Sequence, residues 1–290
     1  MSPDKKRFHK TEISLTAFQE IAKETQERYG SYYGKHTSVP VVLTSNRNEL
    51  AAKGISSSIS YDIPRGTLVR SPMGYLDEVT GAPVIVQFAN PEIVVVKGDP
   101  TTITHRNPKE VYREILSHET VHSQTEPLIL TGPNDSKLTP GDLGLEGKFD
   151  YVQGFKVVSV KPEGRKTEHT REFDEAVTQY LSMSMNDSFN TPSAVLMQMS
   201  VHGRGISAGY ILEARLLNKV FSSLAIDARQ VQKFHQTSDL RGFLDFIGEV
   251  VPELRGYFVK AAIALESNGL LQAIAQMNSA MQNLSDTQSL

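Results

Sequence analysis

The segment Ile115-Leu116-Ser117-His118-Glu119-Thr120-Val121-His122 contains an uninterrupted HExxH motif. In a helix, residues four apart lie on the same face, with Cβ atoms roughly 5 to 6 Å apart. His118 and His122 can therefore reach one ion at about 2.0 to 2.1 Å, the usual distance between zinc and nitrogen. Glu119 would then lie beside a water activated by that ion and could act as its general base. The motif predicts a helix that carries a zinc peptidase site.

The residues around the motif are those of a helix with one buried face. Asn107-Pro108 is a typical helix start, because asparagine caps helix N-termini and proline is favoured at the first helical position. Apolar residues follow at helical spacing, and Glu119 is the only charged residue between Ile115 and Gln124. We therefore expect a helix from Pro108 to about Gln124.

Composition narrows both the class of protein and the kind of metal ligand. The chain has 290 residues, a formal net charge of -3 and no cysteine. Such a chain can bury a large core, and its slight negative charge argues against binding nucleic acid or an anionic membrane by electrostatics. Without cysteine, any zinc must be held by histidine and carboxylate. We expect no membrane span and no nucleic-acid partner.

The N-terminal segment 1–7 is basic but leads to no apolar run, so we expect no cleaved signal peptide and a protein that is cytoplasmic as synthesised. Secretion by a route without a cleaved signal, as for an effector-type protease, stays open. We expect a monomer whose partner is a protein or peptide substrate.

The order of predicted elements indicates an α+β fold. An amphipathic helix is expected over Thr11–Tyr29, ended by Gly30, with Tyr32-Tyr33 in a turn. Strands are expected at Val39–Thr44, Thr67–Arg70, Gly74–Val79, Val84–Phe88 and Ile93–Lys97. The last two form an antiparallel hairpin because Asn90-Pro91 between them is a turn signal. Ile93–Lys97 is also a candidate exposed strand for holding an extended peptide.

The predicted organisation has four parts. Residues 1–30 form an arm and a helix, and 31–125 form a twisted, mostly antiparallel sheet packed on the HExxH helix. Residues 126–169 contain a polar loop and then a strand or hairpin over Tyr151–Lys161. Residues 170–290 form a mainly helical C-terminal half.

A catalytic zinc site needs a third protein ligand. The extended motif HExxHxxGxxH is excluded, because Leu128 occupies the position of its third histidine. A carboxylate from a later helix is the alternative. The predicted helix start Arg171–Leu181 offers three such acids, Glu172, Asp174 and Glu175, and Glu126 is a further acid.

The run Glu175-Ala176-Val177-Thr178-Gln179-Tyr180-Leu181 resembles the E-G-L-T-E-Y-L run of many bacterial gluzincins. These are HExxH metallopeptidases whose third ligand is a glutamate on a second helix. The preceding Gly154-Phe155 strand is also similar to that family. The resemblance covers roughly residues 84–225 and implies a zincin-like fold with Glu175 as the third zinc ligand.

The chain departs from the thermolysin-like pattern at one position. An acid four residues after the ligand orients a histidine in those proteins, whereas this chain has Gln179 there. Thr178 or Asp174 would have to supply that hydrogen bond, which supports ligand orientation and metal affinity.

A peptidase also needs a donor for the oxyanion that develops during water attack. His202 lies between Val201 and Gly203 on a glycine-flanked loop that can approach a substrate. Tyr210 begins the next predicted helix, and Tyr210-Ile211-Leu212-Glu213 resembles a Y-x-x-E helix that recurs in similar proteins. His169 and Tyr180 are further candidates. The remaining histidines, His9, His36, His105 and His235, have no partner at ligand spacing and are expected at the surface.

These residues predict a zinc-dependent metallopeptidase, an endopeptidase rather than an exopeptidase. Zn²⁺ would be held by His118, His122 and Glu175, with Glu119 as the general base and Tyr210 or His202 as the oxyanion donor. Two alternatives stay open. One is an inactive zincin-like relative that serves as a binding module, and the other is a helical interaction protein in which HExxH is accidental.

Overall fold

The computed structural model describes residues 14–34, 42–44, 73–76, 83–86, 108–130, 138–190, 199–201, 204–206 and 210–288. Over these ranges the fold is α+β and mostly helical, with three small sheets. The helices are α1 (Leu15–Tyr33), α2 (Pro108–Ser123), α3 (Arg171–Asn186), α4 (Ile211–Ser223), α5 (Ala228–Gln236), α6 (Leu240–Val250), α7 (Pro252–Ala262) and α8 (Ser267–Gln288). The strands are β1 (Val42–Thr44), β2 (Met73–Leu76), β3 (Pro83–Val86), β4 (Leu128–Ile129), β5 (Tyr151–Gln153), β6 (Lys156–Val160), β7 (Lys166–Glu168), β8 (Met199–Val201) and β9 (Arg204–Ile206).

The chain divides into two compact units. The first is drawn from Met1–Ser123 and Pro192–Ala208, and it contains α1, α2, β1 to β3, and the β8–β9 hairpin. The second is drawn from Gln124–Thr191 and Gly209–Leu290, and it contains β4 to β7 and α3 to α8.

In the first unit, α2 packs against α1 and also contacts β2 and β3. The rings of Phe18 and Tyr112 meet edge to face with centroids 6.3 Å apart, and both side chains are buried. The sheet order is β1-β3-β2, in which β3 pairs parallel with β1 and antiparallel with β2. The predicted HExxH helix is confirmed, since α2 runs from Pro108 to Ser123.

The expected end of the first helix is wrong. Helix α1 continues through Gly30 to Tyr33 and ends at Gly34, whose φ of 89° suits glycine. The ring centroids of Tyr29 and Tyr33, four residues apart, lie 4.9 Å from each other. Such a contact between neighbouring turns of a helix stabilises the helical conformation up to Tyr33.

Three of the five strands predicted for the first unit correspond to observed strands. Strands β1, β2 and β3 overlap three of the predicted strands, but the β1–β3 pair is parallel. The predicted strands Thr67–Arg70 and Ile93–Lys97, with the hairpin built on the latter, lie outside the described residues. The antiparallel pair β8–β9 was not predicted, because this region was expected to be mainly helical with a glycine-flanked loop at His202.

The second unit has a helical core and a four-stranded antiparallel sheet in the order β4-β5-β6-β7. Of the strand or hairpin predicted over Tyr151–Lys161, the structure has the hairpin, formed by β5 and β6, but Gly154 and Phe155 form its turn and not a strand. The predicted loop 126–149 contains β4 and a short 3₁₀ helix, Pro140–Leu143. Helix α3 contacts β6 and most of the other helices of this unit.

Five phenylalanines form the centre of this helical core. All are fully buried, and Phe243 lies in the middle, with its ring centroid 4.9 Å from that of Phe155 and 5.6 Å from that of Phe258. The members of this aromatic cluster are Phe155, Phe173, Phe221, Phe243 and Phe258. Among the described helices, none is both long and apolar enough to cross a membrane.

The aromatic cluster yields a stability prediction. Replacing Phe243 with alanine leaves a cavity among four other rings, so we expect the free energy of unfolding to fall by about 3 to 5 kcal/mol. Leu265, which is 83% exposed, is the control, and Leu265→Ala should change it by about 0.5 kcal/mol or less. Urea unfolding followed by circular dichroism measures both. Equal midpoints for the two variants would contradict the central role of Phe243.

Candidate metal centre

Two imidazoles face each other from consecutive turns of α2. The Nε2 atoms of His118 and His122 are 3.2 Å apart, and the two ring planes are inclined by 73°. In a tetrahedral zinc site with bonds of about 2.05 Å, neighbouring ligand atoms are about 3.3 Å apart. The spacing of the two nitrogens therefore suits a pair of zinc ligands.

The local sequence explains why these rings are presented together. Tyr112, Leu116 and Val121 are buried and hold α2 in the first unit, while both histidines stay half-buried. A helical spacing of four then places the two rings one above the other on the remaining face.

Glu175 completes a group of three ligand types. One ligand atom each from His118, His122 and Glu175 lie within 4.8 Å of one another, and all three side chains are half-buried. Two imidazole nitrogens and one carboxylate oxygen form a ligand set that catalytic zinc uses, and three ligands leave one tetrahedral position for water or substrate. The donor set therefore fits zinc.

Glu119, the expected general base, is buried, with 6% of its surface exposed. It lies three residues before His122, so the two side chains are neighbours on the surface of α2. Its role as a base stays a prediction, and its position on the helix is compatible with it.

Glu172, the alternative third ligand, has a different partner. The hydroxyl of Tyr210 donates a hydrogen bond of 2.7 Å to Glu172 Oε2. Tyr210 immediately precedes α4 in a left-handed conformation, with φ of 53°. Burial raises the pKa of the Tyr210 hydroxyl, and so do its hydrogen bond to Glu172 and the charges of Glu172 and Glu175, whereas Arg171 acts against them. Tyr210 therefore keeps its proton at neutral pH and stays a donor.

His235 is buried, with 1% of its surface exposed, so its predicted place at the surface is wrong. Its Nε2 lies 3.0 Å from Asp174 Oδ1 and 3.3 Å from Thr178 Oγ1. One helical turn earlier on α5, Val231 is also buried, and this i, i+4 apolar spacing was a signal that His235 faces the core. Asp174 and Thr178, the two residues expected to orient a metal-binding histidine, thus both contact His235; their expected role stays a prediction.

Lys156 is a cation near Glu175 that sequence reasoning missed. Burial lowers its pKa, but the carboxylates of Asp174, Glu168 and Glu175 outweigh burial and raise it. The Lys156 ammonium lies 3.4 Å from Glu168. Its proximity to Glu175 depends on the contact between β6 and α3, which the sequence alone does not show.

Three of the remaining candidates have contacts of their own, and the others lie outside the described residues. His169 Nε2 is 2.8 Å from Ser159 Oγ, and burial lowers the pKa of its imidazole. Tyr180 is buried against Phe221. The backbone of Glu126, whose side chain is exposed, binds Gln236 and Ser238. Those outside the described residues are His9, His36, His105 and His202.

Comparison of the chain with models of known protein families, with curated proteins and with solved structures found no match.

The two acids one turn apart on α3 allow a matched test of the third ligand. Glu175→Gln removes a charged oxygen from the three-residue group, so we expect zinc affinity to fall by more than about 100-fold. Glu172→Gln keeps an acceptor for Tyr210 and should retain zinc affinity within about threefold. Competition with a chromophoric chelator measures both. Loss of zinc in the Glu172 variant alone would assign the ligand to Glu172.

The raised pKa of Tyr210 predicts a stability loss at alkaline pH. An unfolded tyrosine ionises near pH 10, whereas the folded Tyr210 still holds its proton there. The folded state then binds more protons than the unfolded state, so stability falls as pH rises above about 10. Tyr210→Phe lacks this titration and should lose stability less steeply between about pH 10 and 11.5. Urea midpoints measured across this range test it, and parallel slopes would contradict it.

Proposed function

We propose that the protein is a zinc metallopeptidase of the zincin-like fold that cleaves peptide bonds as an endopeptidase. The observation that carries the proposal is the grouping of His118, His122 and Glu175 within 4.8 Å, with Glu119 adjacent to one of these ligands on α2. The resemblance of the HExxH helix and of Glu175–Leu181 to the gluzincins supports the same set of ligands.

The ion would serve as a Lewis acid that lowers the pKa of water to about 7 and polarises a carbonyl. The protein's own contribution is to place a base beside that water. Glu119 would take the proton of the attacking water and then deliver it to the leaving amine. Its burial excludes competing solvent from this carboxylate.

Tyr210 is the proposed donor for the oxyanion. It keeps its phenolic proton, because burial and Glu172 raise its pKa, and its side chain lies close enough to Glu175 to feel that charge. The hydroxyl now donates to Glu172, so it would have to exchange this acceptor for the substrate oxygen. Such a bond would form only as negative charge develops, which is how oxyanion donors accelerate acyl transfer. His202, outside the described residues, is the alternative donor.

Lys156 would assist by electrostatics. Its positive charge and the carboxylate of Glu175 attract each other. A carboxylate binds zinc in its charged form, so this lysine lies where it can influence the proposed ligand.

Substitution at Glu119 separates metal binding from hydrolysis. Glu119→Gln should keep its zinc and lose at least about 100-fold in cleavage rate, because general-base catalysis typically contributes that much or more. His118→Ala should lose the metal itself. Glu110→Gln, an exposed acid in the first turn of the same helix, is the control and should change neither property. Mass spectrometry of the metal and cleavage of a diverse peptide library, with and without a chelator, provide the measurements.

Three outcomes would count against the proposal. Retained cleavage by the Glu119 variant would contradict its role as a base. Tightly bound zinc without any cleavage would favour the inactive binding module. Less than about a tenth of an equivalent of zinc in protein purified without added metal would favour an accidental HExxH, since structural and catalytic zinc normally copurifies.

A further inference from the structure

A buried polar cluster lies at the first turn of α3, beside Glu175 in the chain. Asp174 and His235 are each 1% exposed, and Thr170, Thr178 and Ser238 are fully buried. Buried polar groups are costly unless they are hydrogen-bonded, so each bond in such a cluster restricts the elements that it joins.

Asp174 is the centre of this cluster. Its Oδ1 accepts a hydrogen bond of 2.6 Å from the Phe155 amide and lies 3.0 Å from His235 Nε2. An ionised carboxylate can only accept, so the His235 ring donates its Nε2 proton to Asp174. One side chain of α3 is thereby bonded both to the β5–β6 turn and to α5.

Thr170, the residue before α3, binds the same hairpin. Its hydroxyl donates to the carbonyl of Phe155 at 2.6 Å and accepts from the amide of Val157 at 2.8 Å. With the Asp174 bond, the first turn of α3 is held to the hairpin at two points four residues apart. These two points restrict both sliding and rotation of the helix start.

Gly154 allows the hairpin turn to approach this closely. Its φ is 61°, and a Cβ there would lie 2.5 Å from Asp174 Oδ1 and 2.7 Å from His235 Nε2. Its amide donates to Ser238 Oγ at 2.9 Å, and the Ser238 hydroxyl donates to the carbonyl of Glu126 at 2.6 Å. The turn, α3 and the end of α5 are thus joined by one set of bonds, with no room for a side chain at position 154.

Glu175 is the next residue after Asp174 on the restrained turn. Metal ligands must be held to within about 0.5 Å of their working positions, and the groups that hold them contribute strongly to metal affinity. We propose that His235 is a positioning residue for Glu175: by donating to Asp174 it fixes the first turn of α3, and thereby the place of the glutamate that receives the metal. This inference rests on the proposed zinc site, but it concerns residues that do not themselves bind the ion.

A purely structural role for the cluster makes a different prediction. In that case, removing the His235 bond lowers the free energy of unfolding, but the molecules that remain folded bind zinc as tightly as the wild type. The two possibilities are separated by measuring zinc affinity and stability on the same set of variants.

The test uses full-length protein and substitutions at His235. In His235→Gln the side-chain amide can reach the position of Nε2 and keep a donor for Asp174, whereas leucine has no donor. We expect His235→Leu to weaken zinc binding about 10- to 100-fold and His235→Gln to stay within about threefold of wild type. Zinc affinity is measured by chelator competition, and the visible spectrum of the Co²⁺ form reports whether the ligand geometry has changed.

Val231→Ala is the matched control, since Val231 is fully buried one turn earlier on α5 and has an apolar side chain that cannot hydrogen-bond to Asp174. It should lower the urea midpoint but leave zinc affinity and the Co²⁺ spectrum unchanged. If the leucine variant does not fold, His235→Asn decides instead. It carries the same amide as glutamine on a side chain one carbon shorter, which is too short to reach Asp174, and should bind zinc as weakly as predicted for leucine.

The outcomes distinguish the two proposals. A wild-type protein that binds no zinc overturns both the proposed function and this inference. A wild-type protein that binds zinc, with unchanged affinity in the leucine or asparagine variant, overturns the positioning role alone. Equal weakening in the Val231 control also overturns it, because the effect would then follow from general destabilisation.

Discussion

The candidate site depends first on the pitch of a single helix. Four residues of α2 bring two imidazole nitrogens to 3.2 Å without any help from a loop, so little entropy is lost when an ion orders them. At this distance two neutral rings can satisfy each other only if one donates its Nε2 proton. An ion would instead need the lone pairs of both Nε2 atoms, so the donating ring would have to move its proton to Nδ1, where the accepting ring already carries its own. Metal binding and the tautomers of His118 and His122 are therefore linked.

In the second unit, a buried polar cluster lies among aromatic rings. Phe155 supplies the amide bonded to Asp174, and its own ring lies 5.3 Å from the His235 ring and 6.0 Å from that of Phe173. Such surroundings strengthen each hydrogen bond and penalise each unpaired group. The aromatic cluster and the polar cluster therefore stabilise the same local arrangement of hairpin, α3 and α5.

Local sequence rules predicted the parts of the fold that local forces determine. Asn107-Pro108 and the apolar spacing predicted α2, and a strand or hairpin was predicted over Tyr151–Lys161. The Tyr29–Tyr33 contact that extends α1 also lies within one helix, but Gly30 was taken as a stop. Glycine lowers helix propensity without forbidding it, so side-chain contacts decided the outcome.

The candidate site was predictable only in part, for the same reason. The spacing of HExxH alone identifies its two histidines and Glu119. Glu175 was predicted from the resemblance to gluzincins, because the third ligand has no fixed distance in sequence from the motif. The burial of His235 and the proximity of Lys156 to Glu175 depend on contacts between residues far apart in the sequence. His235 was expected at the surface because it has no partner at ligand spacing, but its position on the apolar face of α5 buries it.

The first turn of α3 shows how environment separates similar groups. Three carboxylates stand within four positions of one helix, and successive side chains there differ by about 100° in direction. Glu172 accepts from a tyrosine that keeps its proton, and Asp174 accepts from a backbone amide and a buried histidine. Glu175, half-buried, is the one of the three grouped with His118 and His122. The three acids of this turn therefore differ in their surroundings, although they stand close together in the sequence.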